Sequence, residues 1–119
     1  SLPKTDTCAV VLLSPFFPFE SGKKYHISLW TKGVNASDLL IHIATYNEKK
    51  ECISAYSYWL RVPGQAGAFK SGTWDWEEWS NEIKVGIKDA KYGRIFAWYR
   101  EWGENQSFYL DDLFVEEIH

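Results

Sequence analysis

Apolar and polar residues alternate with a period of two along much of this chain, and that pattern decides the fold class before any single residue is weighed. Residues 25–32 place Tyr25, Ile27 and Leu29 on one side, with His26, Ser28, Trp30 and Lys32 on the other. A strand with one buried and one wet face has this pattern. Residues 39–46 repeat it, with Leu39, Ile41 and Ile43 inward and His42 and Tyr46 outward. In residues 79–85, Trp79, Ile83 and Val85 oppose Ser80, Glu82 and Lys84. Residues 94–102 set Ile95, Ala97 and Tyr99 toward a core, and Phe96, Trp98, Arg100 and Trp102 the other way. Residues 52–62 form a further strand with rings on both faces, Tyr56 and Tyr58 against Trp59.

The connections follow from composition. Residues 8–13 are a short apolar run ended by Pro15 and Pro18, and 20–23, 33–38, 47–51 and 88–93 read as turns. Residues 63–73, with Gly64, Gly67 and Gly72, read as a long loop with room for a short strand. The polar break at 103–106 joins strand 94–102 to a last strand ending near Val115, as a hairpin. No segment sustains a helical period. Short strands with turns at intervals of roughly 8–12 residues predict an all-β sandwich or barrel.

At 119 residues the chain is expected to be one domain with a sizeable core. It starts at Ser1 and contains no Met, as expected of a module excised from a larger multidomain protein. No run approaches the length of a membrane-spanning helix. Net charge is −3 with both signs interspersed, so no basic patch exists to hold phosphates; neither nucleic acid nor a membrane surface is an expected partner. Cys8 and Cys52 fit no zinc spacing, and a disulfide and two separate thiols are both open. Asn35-Ala36-Ser37 and Asn105-Gln106-Ser107 match the glycosylation sequon.

Seven Trp, seven Tyr and seven Phe make up 18% of the chain. Strands favour aromatics, but seven Trp exceed what a core this size needs, and several are expected at the surface. On the face of 94–102 that holds Trp98 and Trp102, Arg100 argues against burial, because an unpaired Arg is almost never fully buried. Flat rings beside a guanidinium suit a sugar: the C–H face of a pyranose packs on an aromatic plane, while Arg donates to hydroxyls. Trp30 shares its face with His26, Ser28 and Lys32, so that face is wet as well. Tyr46 offers another ring and His42 a hydrogen-bonding group. Trp79 shares parity with the core, and Trp74 falls on the loop, from which it would extend a stacking platform. The carboxylate pairs Glu77-Glu78, Asp111-Asp112 and Glu116-Glu117 are adjacent on strands and point oppositely, so none can flank a scissile glycosidic bond. Nothing resembles a nucleophile elbow. No enzymatic activity is expected.

Three stretches carry a resemblance. Gly22-Lys23-Lys24-Tyr25-His26-Ile27-Ser28-Leu29-Trp30-Thr31-Lys32-Gly33 resembles the Gly-Lys-x-Tyr-x-x-Ser-x-Trp-x-Lys-Gly strand of carbohydrate-binding modules in the family 4, 9 and 22 group. Gly72 to Ser80 resembles the segment in which a Trp opens the next strand, a match that implies a structural role for Trp76, and Phe108-Tyr109-Leu110-Asp111-Asp112-Leu113 resembles the terminal strand. Together they span residues 22–115. The resemblance implies a β-sandwich of jelly-roll, galactose-binding-like form. Such modules are secreted, catalyse nothing, and bind plant cell-wall polysaccharide for an attached glycoside hydrolase. A β-1,4-glucan (cellulose, xyloglucan or mixed-linkage glucan) is favoured over xylan by the many Trp. The residues expected to carry it are Trp98, Arg100, Trp30, Trp102, Tyr46, His42 and Trp74. No cofactor is required. Such modules commonly open with a further strand that helps bind a structural calcium; this chain has no counterpart, leaving Asp111 and Asp112 as candidate ligands. The competing expectation is a β-sandwich for adhesion or inter-domain packing whose rings cover a protein partner.

Overall fold

The computed structural model describes residues 12–65, 67–98 and 106–119, with the side chains of Leu12 and Leu13 excepted. Those residues form seven strands and no helix: β1 (Leu12–Leu13), β2 (Phe17–Pro18), β3 (Lys24–Tyr46), β4 (Cys52–Trp59), β5 (Phe69–Lys84), β6 (Tyr92–Trp98) and β7 (Ser107–Ile118). All pairings are antiparallel and belong to one sheet.

The sheet is built on β3. Along one edge β3 pairs with β5, from Lys24↔Lys84 to Leu40↔Phe69, and then with β4, from His42↔Trp59 to Tyr46↔Cys52. Along the other edge it pairs first with β7, Lys24↔Ile118 to Val34↔Ser107, and then with β6, Leu40↔Trp98 to Tyr46↔Tyr92. β1 and β2 add to the far side of β6. Residues 99–105 of the expected terminal hairpin lie outside the described residues, and the pairing found for the rest is a different one. Among the described residues β6 and β7 bond to successive stretches of β3 rather than to each other, because the long β3 offers both of them the same edge.

A second correction concerns residues 33–38, expected to be a turn between two strands. They continue β3, with register shifts between Thr31 and Gly33, Gly33 and Ala36, and Ala36 and Leu39. Asn35 and Asp38 take left-handed backbone (φ 52° and 50°), and Gly72 opposite Ala36 has φ 105°. Bulges of this kind bend a strand and sharpen its twist. Here β5 pins the bend: Asn35 N–H donates to Thr73 Oγ1 at 3.0 Å, and Asp38 N–H donates to Ser71 Oγ at 2.9 Å. The expected loop at 63–73 accordingly gives way at Phe69 to β5.

The bend lets one strand serve two sides of the core. Tyr25, Ile27 and Leu29 before it, and Leu39, Ile41 and Ile43 after it, join a single buried cluster with Trp79, Ile83, Val85, Ile95 and Ala97. Phe17 of β2 closes it, together with Phe19, Leu60 and Val62 from the connections. The sheet thus curls around its own inward face. Even-numbered residues such as Trp30 before the bend and His42 after it lie on the outward face, while Ala36 within the bend joins the core.

Candidate functional site

Cross-strand neighbours share a sheet face, so the register defines the outward surface of the β6–β3–β4 half. Phe69, Leu40 and Trp98 form its first row. Trp59, His42 and Phe96 form the second. Ala44 and Arg94 follow, then Tyr46 and Tyr92. Four consecutive rows therefore carry aromatic or cationic side chains on one face.

The second row is capped by Tyr56. β4 loses register between the pairs Ile43↔Tyr58 and Thr45↔Ser54. Tyr58 turns inward, its ring edge-on to Phe19 and its hydroxyl accepting from Gly86 N–H at 2.8 Å. Tyr56, two residues earlier and of the same parity, instead lies over the outward face. Its ring stands 5.2 Å from His42 at 81° and 5.8 Å from Phe96 at 73°, while His42 and Phe96 stack at 5.1 Å and 21°. His42 is consequently only 8% exposed, and its Nδ1 has no hydrogen-bond partner among the described residues. Burial pushes its pKa below the ordinary imidazole value, against a weaker opposing pull from a hydrogen bond with the Tyr58 backbone.

The last two rows are covered by Phe16. Its ring meets Tyr46 edge-on at 4.9 Å and Tyr92 at 6.1 Å. The Arg94 guanidinium lies 4.5 Å from the Phe16 centroid, and its Nε donates to the Ser14 carbonyl at 2.8 Å. Lys50 Nζ sits 5.1 Å from the same ring. What the face leaves open is its other end: Tyr56 (65% exposed), Phe69 (50%) and Trp59 (37%), with Trp98 half-buried beside Leu40.

The residues singled out by sequence thus separate. Trp98, Tyr46 and His42 share this face, but Tyr46 is packed under Phe16, and His42, expected to be an outward hydrogen-bonding group, is roofed by Tyr56. Arg100 and Trp102 lie outside the described residues, as does Cys8; the Cys52 thiol is exposed. Trp30 lies on the other half of β3, paired with Glu78 and Asp111, ten residues and roughly 30 Å of strand from Leu40. Trp74 requires a correction. Rather than extending a platform from a loop, it is a β5 residue, 8% exposed and stacked on Trp79 at 6.0 Å. Gly33 is the reason, since a Cβ there would stand 2.6 Å from the indole ring; Trp74 Nε1–H is satisfied by Thr31 Oγ1 at 3.0 Å. Trp76, expected to be structural, is 42% exposed, whereas Trp79 is in the core as expected.

Sequence reading missed Tyr56, Trp59, Phe69 and Arg94 as members of this face. The parity of Arg94 with Phe96 and Trp98 was a usable signal. The bulge hid Tyr56 and Trp59, and Phe69 was assigned to a loop. Asp111 and Asp112 are exposed neighbours on β7, and the described residues contain no group of three His, Cys, Asp or Glu side chains able to hold a metal ion. No protein-family model matches the chain, and no curated protein matches it significantly.

Proposed function

We propose that this protein is a non-catalytic carbohydrate-binding module of jelly-roll form that holds plant cell-wall polysaccharide, with a β-1,4-glucan favoured, for an attached glycoside hydrolase in an extracellular setting. The observation that carries the reading is the row of open rings, Tyr56, Phe69 and Trp59 with Trp98 behind them, on one outward sheet face. Large aromatics left in water at one place mark a binding surface, and the C–H faces of a glucan chain match it. At roughly 0.5–1.5 kcal/mol per well-placed ring contact beyond area burial, a few rings and hydrogen bonds give a Kd of about 1 μM to 1 mM. Neither catalysis nor a required cofactor forms part of the proposal.

Electrophoresis in native gels containing β-glucans, xylans or mannans tests it. The expected outcome is retardation by a β-glucan, weakened about 2- to 10-fold in affinity by Tyr56→Ala or Trp59→Ala, with both variants folded by circular dichroism. The second reading, adhesion or inter-domain packing, draws on Tyr109 and Phe114, each 50% exposed on β7. Absence of retardation by every polysaccharide would replace the glycan reading with that one.

A further inference from the structure

On the outward surface of the β7–β3–β5 half lies a shallow recess of about 200 Å³ lined by Trp30, Trp76, Asp111 and Asp112. Trp30 is 37% exposed and Trp76 42%. The register flanks Trp30 with Glu78 on one side and Asp111 on the other. Between the pairs Ser28↔Phe114 and Trp30↔Asp111, β7 carries one extra residue, and Asp112 takes left-handed backbone there (φ 54°). The bulge brings two successive carboxylates to one recess, which regular alternation forbids. Asp112 N–H donates to Asp111 Oδ1 at 2.9 Å. Asp111, Asp112 and Glu78 have no ion-pair partner among the described residues, and Lys32, two positions along β3 from Trp30, bridges none of them.

We infer that this recess binds a protonated amino sugar, separately from the glucan face. Indole is the best of the aromatic rings at attracting an ammonium, and carboxylates accept its N–H donors in charge-assisted bonds. Two open indoles, with Asp111 beside Trp30 on the β7 side and carboxylates that lack an ion-pair partner among the described residues, thus select an organic cation over a neutral sugar. A bare metal ion fits less well: the indoles offer it no ligand atom, and no third acidic, His or Cys side chain completes a set with the two aspartates among the described residues. The volume lies below the ~300–1,000 Å³ of drug-sized sites, so the ligand is a single ring, with the pyranose on indole and the ammonium on the carboxylates.

Nuclear magnetic resonance of the indole N–H groups, titrated with glucosamine, N-acetylglucosamine and tetramethylammonium chloride at low and high salt, provides the test. Glucosamine is expected to shift the Trp30 and Trp76 signals with a Kd of about 1–10 mM, weakening as salt is added. N-acetylglucosamine, which lacks the charge, is expected to bind at least about 3-fold more weakly. Asp111→Asn with Asp112→Asn removes the preference for glucosamine in a folded protein, because Asn also tolerates the left-handed backbone. Tyr56→Ala leaves these shifts unchanged, so failure here and failure of the glucan reading are distinguishable. Equal shifts from the two sugars, or none, would overturn the inference. Tetramethylammonium matching glucosamine would overturn its sugar part.

Discussion

Trp74 and Thr31 meet in the interior, the indole N–H donating to a hydroxyl that is fully buried. Replacing Thr31 with Val keeps the shape and strands the donor, so Thr31→Val is expected to cost about 1–3 kcal/mol. Thr31→Ser, which keeps the acceptor, is expected to cost less; urea denaturation of the two variants checks the order. His42 makes a different kind of demand. Its imidazole is held neutral by burial, with a pKa below that of the unfolded chain. Below about pH 6.5 the unfolded chain takes up a proton that the folded one refuses. Stability therefore falls as pH drops through that value, at no more than about 1.4 kcal/mol per pH unit, and levels off below the folded pKa. His42→Phe, which can stack on Phe96 in the same slot, is expected to remove this contribution. Comparing the urea midpoints of both proteins at neutral and mildly acidic pH reads the difference, and an unchanged slope would show that His42 is not its source.

At the scale of elements, the bend in β3 organises the sheet. Its cause is local: left-handed residues at Asn35 and Asp38, hydroxyl anchors on β5, and a bare Gly33 beneath Trp74. Gly33→Ala places a methyl 2.6 Å from the edge of a rigid ring that already stacks on Trp79. It is expected to cost about 1–3 kcal/mol, seen as a lower thermal midpoint, and to change the near-ultraviolet dichroism of the Trp pair. The core faces of β3, the Trp79–Val85 stretch and β6 were legible in the sequence because Ile27, Ile41, Ile83 and Ile95 obey strict alternation. The bend was not, because Asn35, Ser37 and Asp38 have the composition of a turn; the same preference for left-handed backbone serves a bulge inside a strand. Tyr56 and Tyr58 share parity and still part company, since a bulge breaks the rule by which parity is read. The pairing of β6 and β7 with β3 is non-local and leaves no mark in either strand.

For the whole molecule, the consequence of a bent central strand is that neither half owns a core. Tyr25, Ile27 and Leu29 precede the bend, Leu39, Ile41 and Ile43 follow it, and all six belong to one buried cluster shared with β5 and β6. Exposing one half would strip the inward face of the other, so no stable half-folded state is available. Unfolding is expected to be all-or-none. Denaturation followed by Trp fluorescence, which reports on indoles of both halves (Trp30, Trp74, Trp76 and Trp79 on one, Trp59 and Trp98 on the other), and by far-ultraviolet dichroism, which reports on every strand, should give superimposable transitions. Gly33→Ala should displace both together by the same amount. The two outward surfaces, with Tyr56 and Trp59 on one half and Trp30 and Trp76 on the other, are then held by a single cooperative unit. A plateau between the two signals would mean that the halves unfold independently, and that the bend joins two structures rather than closing one.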